Sequence, residues 1–210
     1  MLIWNVLKRA ALDFWDEILY LMIFNMIWFL GSLLIIPLPF LTFGLWHTAY
    51  DISRSKGINF GVFFNHLRRT WPAALGWGGV NLGLAIIVVI NLNFYAGFET
   101  PWATIARLIV MALALLWSVV QVVALAVYPR LESPGFRLAT RNAAVVMAKY
   151  PLPVLALMAM LVLLGVATFL FPVLLVLGTV SLLALLTNRL VGAVISRELG
   201  QDEGRQEFDA

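Results

Sequence analysis

The chain has 210 residues, no cysteine and only two histidines, and just 12% of it is charged. Without cysteine there is no disulfide, no thiolate nucleophile and no Cys-ligated metal. Charge is also missing over long runs: no Asp, Glu, Lys or Arg occurs in 18–50, 72–94 or 150–188. A soluble domain carries about 25% charged residues. The short motifs of chemistry are missing too. There is no G-x-S-x-G, Walker A or C-x-x-C pattern. No apolar run carries the central Asp, Glu or Lys that a coupling ion normally needs. Nothing in these patterns calls for a cofactor or a metal.

What is abundant is apolar: 62% of residues are hydrophobic and the mean hydropathy is +0.95. A globule of this length cannot hide that much apolar surface, so lipid must be the solvent for much of it. The expected class is all-α, a single polytopic transmembrane domain over 1–210. The net charge of +3 is small, and its placement points to membrane topology and lipid contact rather than to nucleic acid.

Residues 1–17 carry Ile3, Trp4, Leu7, Ala11, Phe14 and Trp15 at helical spacing, with Lys8, Arg9 and Asp13 off the stripe. This is either an interfacial amphipathic helix or a solvated lead-in to the first span. The segment reads as retained rather than as a cleaved signal peptide. Its apolar run starts only at Ile18, after Asp13, Asp16 and Glu17, and no A-x-A pattern follows.

Five spans are expected. The first, 18–36, is broken at Pro37 and Pro39, which leaves a short element at 40–50. The second is 72–94 and the third 102–128. The fourth is 150–170, and the fifth, 172–190, lies within a last segment 172–196 that precedes a polar tail, 197–210. Between spans lie two basic amphipathic helices. One covers 58–71, with Phe60, Phe63, Phe64, Leu67 and Trp71 on one face and Arg68 and Arg69 off it. The other covers 135–149, with Arg137, Arg141 and Lys149 sharing a face and Ser133-Pro134 as its expected start. These five cations are the candidate lipid- or partner-docking residues. "RRTWPAAL" and "MAKYPLPV" both run from basic through aromatic and proline into a span. A repeat of span–helix–span units over 18–94 and 102–170 follows from that.

The loops 51–71 and 129–149 carry four basic residues each, and the turns 95–101 and around 171 carry none. The basic loops and the C-terminus are therefore expected in the cytoplasm. Five spans put the N-terminus outside, whereas a chain that turns back at 37–50 puts it in the cytoplasm.

The candidate site residues cluster around the broken segment. Asn25 and Thr42 can satisfy carbonyls freed near Pro37 and Pro39, which lipid cannot do, or can flank a small-molecule site with Trp28. His47 and Asp51 are four residues apart and can meet on one helical face, as an interfacial pair or as half of an acid–base or metal site. Gly76, Gly79 and Gly83 form a small-residue face expected to pack closely on another helix.

Asn25, Trp28, Pro39, Thr42, Gly44, Ala49, Phe63, Phe64 and Trp71 also stand in a recognisable order. "FNMIWFLGSLLIIPLPFLTFGLWHTAYDI" followed by "FFNHLRRTW" resembles the YesL-like family of bacterial integral membrane proteins, grouped as a domain of unknown function. The likeness is strongest over residues 20–75. Leu45-Trp46-His47-Thr48-Ala49 departs from a Pro-Ala-x-Ala-Ala run, and Leu67 replaces an aromatic. The resemblance implies a bacterial cytoplasmic membrane location and an accessory role beside carbohydrate ABC transporters. The expected function is thus a non-enzymatic accessory or regulatory subunit that contacts lipids and other integral membrane proteins. The alternatives are a neutral-solute transporter with its site at 37–44, and an intramembrane enzyme using His47 and Asp51.

Overall fold

A computed structural model describes residues 2–198, and the tail expected over 197–210 falls almost wholly outside them. Among the described residues every regular element is helical: α1 (Leu2–Asp16), α2 (Ile18–Ser32), α3 (Leu38–Ser53), α4 (Phe60–Ala96), α5 (Pro101–Val127), α6 (Phe136–Lys149), α7 (Pro151–Leu170), α8 (Val173–Leu177) and α9 (Thr179–Glu198), with a short 3₁₀ turn at Tyr128–Arg130. Four stretches are long and apolar enough to cross a membrane: Phe60–Ala96, Pro101–Arg130, Pro151–Leu170 and Thr179–Arg197. A fifth exists if α1 and α2, bent by 89°, count as one broken span. The expected polytopic α-helical class holds. Large apolar side chains such as Leu152, Phe169 and Leu163 lie bare on the outside, as lipid-facing residues must.

Helix α1 is amphipathic, but the face it buries is centred on Val6 and Ala10 rather than on the expected stripe. Val6 and Ala10 are buried while Trp4 and Trp15 face outward. It packs across α9, nearly perpendicular to α2.

The expected first span is shorter than 18–36. Helix α2 ends at Ser32 after 15 residues, about 22 Å of rise against a hydrocarbon core of about 30 Å. The break occupies 33–37, where Ile35 takes a φ of 59°. The expected element at 40–50 is a full 16-residue helix, α3, with Pro37 at its N-cap and Pro39 in its first turn. Pro39 thus starts a helix instead of breaking one, because the first turn has no intrahelical N–H bonds to lose. Trp28 bonds Thr42, and Gly31 lies hard against the Leu41 side chain. Contacts that step backward along α3 as they step forward along α2 make an antiparallel hairpin. Its tip, Leu33 to Ile36, is 64–76% exposed.

Helix α3 is the centre of the molecule. It packs on α2, α4, α5 and α9, and it buries Leu41, Phe43, Leu45, Trp46, Ala49 and Ile52. Burying a large apolar side chain contributes about 1.5–3 kcal/mol relative to leaving it exposed, so this segment is the main apolar anchor of the fold.

The first expected basic helix, 58–71, is not a separate element. It continues through Pro72 into one 37-residue helix, α4. Proline deprives only the Arg68 carbonyl of a partner, and Arg68, Arg69 and Trp71 around it are exposed, where water and headgroups can reach. The second basic helix, α6, stays separate. Two prolines, 151 and 153, follow it, and Tyr150 leaves helical geometry with φ −125° and ψ 62°. Gly135, not Ser133, caps α6. The two expected repeat units therefore differ in element make-up: a hairpin plus a fused helix in 18–94, and span, helix and span in 102–170.

The expected fifth span is also broken. Helix α8 ends at Leu177 and α9 begins at Thr179, with Gly178 between them.

Candidate functional site

Asn25 lies wholly inside the bundle. It does not serve the Pro37–Pro39 break, as expected, but the break between α8 and α9. Its Nδ2 donates to the Leu175 carbonyl (2.6 Å) and the Val176 carbonyl (2.9 Å). Its Oδ1 accepts from Val180 N and Ser181 N, both at 3.1 Å. One amide thus replaces, on both sides of the gap, the bonds that a continuous helix would have supplied itself. Ser181 Oγ adds a bond to the Leu21 carbonyl at 3.1 Å. The Phe14 ring packs so close to Gly178 that a Cβ there would stand 2.6 Å from it.

Thr42 and Trp28 are joined by a 2.9 Å bond from the indole Nε1 to Thr42 Oγ1, which itself donates to the Leu38 carbonyl at 2.8 Å. Thr42 therefore does serve the first turn after the Pro37 break, the structural reading of this residue. Beside the alternative solute site at 37–44, the polar groups of Asn25 and Thr42 are bonded within the protein.

Gly44 lets α3 approach α4. A Cβ there would stand 2.5 Å from Leu67 and 3.1 Å from Phe63. Phe63 in turn stacks on Phe24 at 4.3 Å. The expected glycine face on α4 is not used this way: nothing lies within 4 Å of a Cβ built on Gly76, Gly79 or Gly83. The close approach is made one residue away by Gly78, against the Pro39 ring. Spacing alone could not show which side of α4 meets α3.

His47 and Asp51 do not pair. Asp51 accepts from His66 Nε2 at 2.7 Å and lies 3.6 Å from Lys56 Nζ. His47 Nδ1 donates to the Phe43 carbonyl at 2.9 Å, and its ring stands 5.3 Å from that of His66. The intrahelical bond turns His47 back along α3, and the antiparallel packing of α4 delivers His66 to Asp51 instead. This cluster closes the α3–α4 turn, where the Lys56 N–H also bonds the Asp51 carbonyl oxygen at 3.0 Å. Among the described residues no group of three or more His, Asp or Glu is arranged to hold a metal ion.

Two further polar ties join residues far apart in the sequence. Arg130 donates to the Ala126 carbonyl, to Asn188 Oδ1 (2.8 Å) and to the Asn188 carbonyl (2.8 Å). Its guanidinium also stands 4.7 Å over the Tyr50 ring. Asn188 Nδ2 reaches the Trp46 carbonyl at 3.1 Å. This node joins α3, α9 and the end of α5. The second tie is a two-pronged pair between Arg189 and Asp13, at 2.7 and 2.8 Å, which fastens α1 to α9.

The five candidate docking cations, Arg68, Arg69, Arg137, Arg141 and Lys149, are all exposed. Helix α6 packs on α5 and touches α4, so the two basic stretches adjoin. Helices that alternate in direction bring the start of α4, the end of α5, the start of α7 and the end of α9 to one end of the bundle. The turns 97–100 and 171–172 lie at the opposite end; Glu99 is the one charged residue within them, and Arg107 follows in the second turn of α5. No family model, curated protein or solved structure matches the chain.

Proposed function

We propose that this protein is a non-enzymatic accessory or regulatory subunit of the bacterial cytoplasmic membrane, related to the YesL-like proteins, whose basic end docks on another integral membrane protein. A carbohydrate ABC transporter is the partner that the resemblance favours. The observation that carries this reading is a division of labour among the polar groups. Inside the bundle, Asn25, Thr42, Trp28, Asn188 and Arg130 are engaged in holding helices together. The exposed cations collect at one end, on adjoining helices. Such a surface attracts an anionic leaflet and the acidic loops of a membrane partner. By the excess of Lys and Arg, that end is cytoplasmic. In this reading the α2–α3 hairpin enters and leaves from the same side, and the N-terminus is cytoplasmic as well.

Affinity purification from crosslinked membranes in mild detergent tests the reading. One or a few membrane proteins are expected to co-purify with the unaltered chain. Recovery should fall several-fold when Arg68, Arg69, Arg137 and Arg141 are all changed to glutamine. Recovery of the chain alone in every condition would count against a docking role.

A further inference from the structure

Helices α4 and α5 run antiparallel from the 97–100 turn, and their register is set where Trp117 Nε1 donates to Asn81 Oδ1 at 3.0 Å. Between them lies a cleft of about 790 Å³. Leu84, Val88, Leu113 and Ala114 line it. Asn81 and Trp117 meet across its inner part, where Val120 also lines it and Asn81 bonds the Trp77 carbonyl at 2.8 Å. The outer end is marked by Asn91 and Val110.

Arg107, Val110, Ala114 and Trp117 are spaced three, four and three residues apart, so they share one face of α5. Arg107 thus stands one turn beyond the lined part of the cleft. By the antiparallel register it lies opposite Asn91. It is the only basic residue from 70 to 129, and none occurs from 150 to 188. Its guanidinium makes one long bond, 3.4 Å, to Thr104 Oγ1. That partner is a turn nearer the helix start, so the side chain leans toward the membrane surface. The ten residues from Arg107 to Trp117 rise about 15 Å. One leaflet of a hydrocarbon core about 30 Å thick has the same depth.

We propose that this cleft is a phospholipid site of the leaflet opposite the basic helices. An acyl chain lies between α4 and α5 down to the level of the Asn81–Trp117 bond, and the lipid phosphate rests on Arg107. The depth matches one leaflet, and Arg107, the one basic residue between 70 and 129, stands at the rim, where a phosphate would be. The site is independent of the docking face, which lies at the other end of the molecule.

Reconstitution into vesicles containing phosphatidylglycerol with a photoreactive acyl chain, followed by peptide mapping, tests the proposal. Label is expected on 81–91 and 110–120 well above that on the exposed face of α7. Arg107→Gln should lower it about five-fold, the effect of about 1 kcal/mol for one cation at the membrane surface. Arg107→Lys should retain most of it. Ala114→Trp, which fills the cleft, should lower it at least as much, with label on α7 unchanged in every variant. Equal labelling of the cleft and α7, indifference to Arg107→Gln, or a chain-to-chain crosslink through the cleft in place of lipid label would overturn the proposal.

Discussion

Replacing Asn25 by leucine is expected to destabilise the detergent-solubilised protein by about 4 kcal/mol. The side chain is fully buried and makes four bonds to backbone on both sides of Gly178. Each buried polar group left without a partner costs about 1–3 kcal/mol, and a lipid-filled surround offers no replacement. The four costs will not add in full, since α8 and α9 can shift to recover some bonds. The melting temperature should fall on the order of 10 °C. Asn25→Asp separates this account from a simple packing effect. Aspartate keeps the shape and both acceptor contacts, but it turns an anionic oxygen on the Leu175 and Val176 carbonyls. It should be at least as damaging as leucine. A leucine variant that melts with the unaltered protein would mean that the α8–α9 break is held by something else.

Loss of the Asp13–Arg189 pair should be the next largest effect. The side chains are 15% and 16% exposed, and the geometry is two-pronged and charge-assisted. Breaking a buried pair costs about 3–5 kcal/mol when one charge is stranded. Partial exposure near a membrane surface reduces this, so Arg189→Leu is expected to cost about 2–3 kcal/mol. The consequence should be local, because the pair is a main polar tie between α1 and the bundle. Protease cleavage near Glu17 should accelerate sharply, while α4 and α5 stay protected. The charge-swapped double variant, Asp13→Arg with Arg189→Asp, should recover part of the loss that each single change causes. If both single variants cleave at the normal rate, α1 is held by its apolar face alone.

Much of the helix pattern was legible because prolines and gaps in charge mark the ends of membrane helices. Pro101 and Pro151 begin α5 and α7 close to where the sequence places them. What stayed hidden was decided by contacts distant in sequence. The Gly178 break is stabilised by a residue about 150 positions earlier, so nothing near 178 announces it. Asn25 was visible as a polar group at membrane depth, but its partners were not. His66 displaced His47 beside Asp51 because α4 folds back on α3, a fact of tertiary packing that i, i+4 spacing does not contain. Two similar basic–aromatic–proline motifs parted ways, one carried through by a single proline at 72, the other broken by prolines at 151 and 153. Gly78 took the close approach expected of its neighbours because only it faces Pro39.

All the docking claims rest on one geometry, in which the α2–α3 hairpin enters and leaves on the basic side and four helices cross. The missing cysteines make this directly measurable. Single cysteines at Lys8, Ser55, Ser133 and Glu99 can be probed in sealed cells and in inverted vesicles with a thiol reagent that does not cross membranes. The expected result is labelling of positions 8, 55 and 133 from the cytoplasmic side only, and of position 99 from the opposite side only. Labelling of position 8 on the same side as position 99 would contradict it, because α2 would then cross the membrane and the basic end would no longer gather both termini of the hairpin.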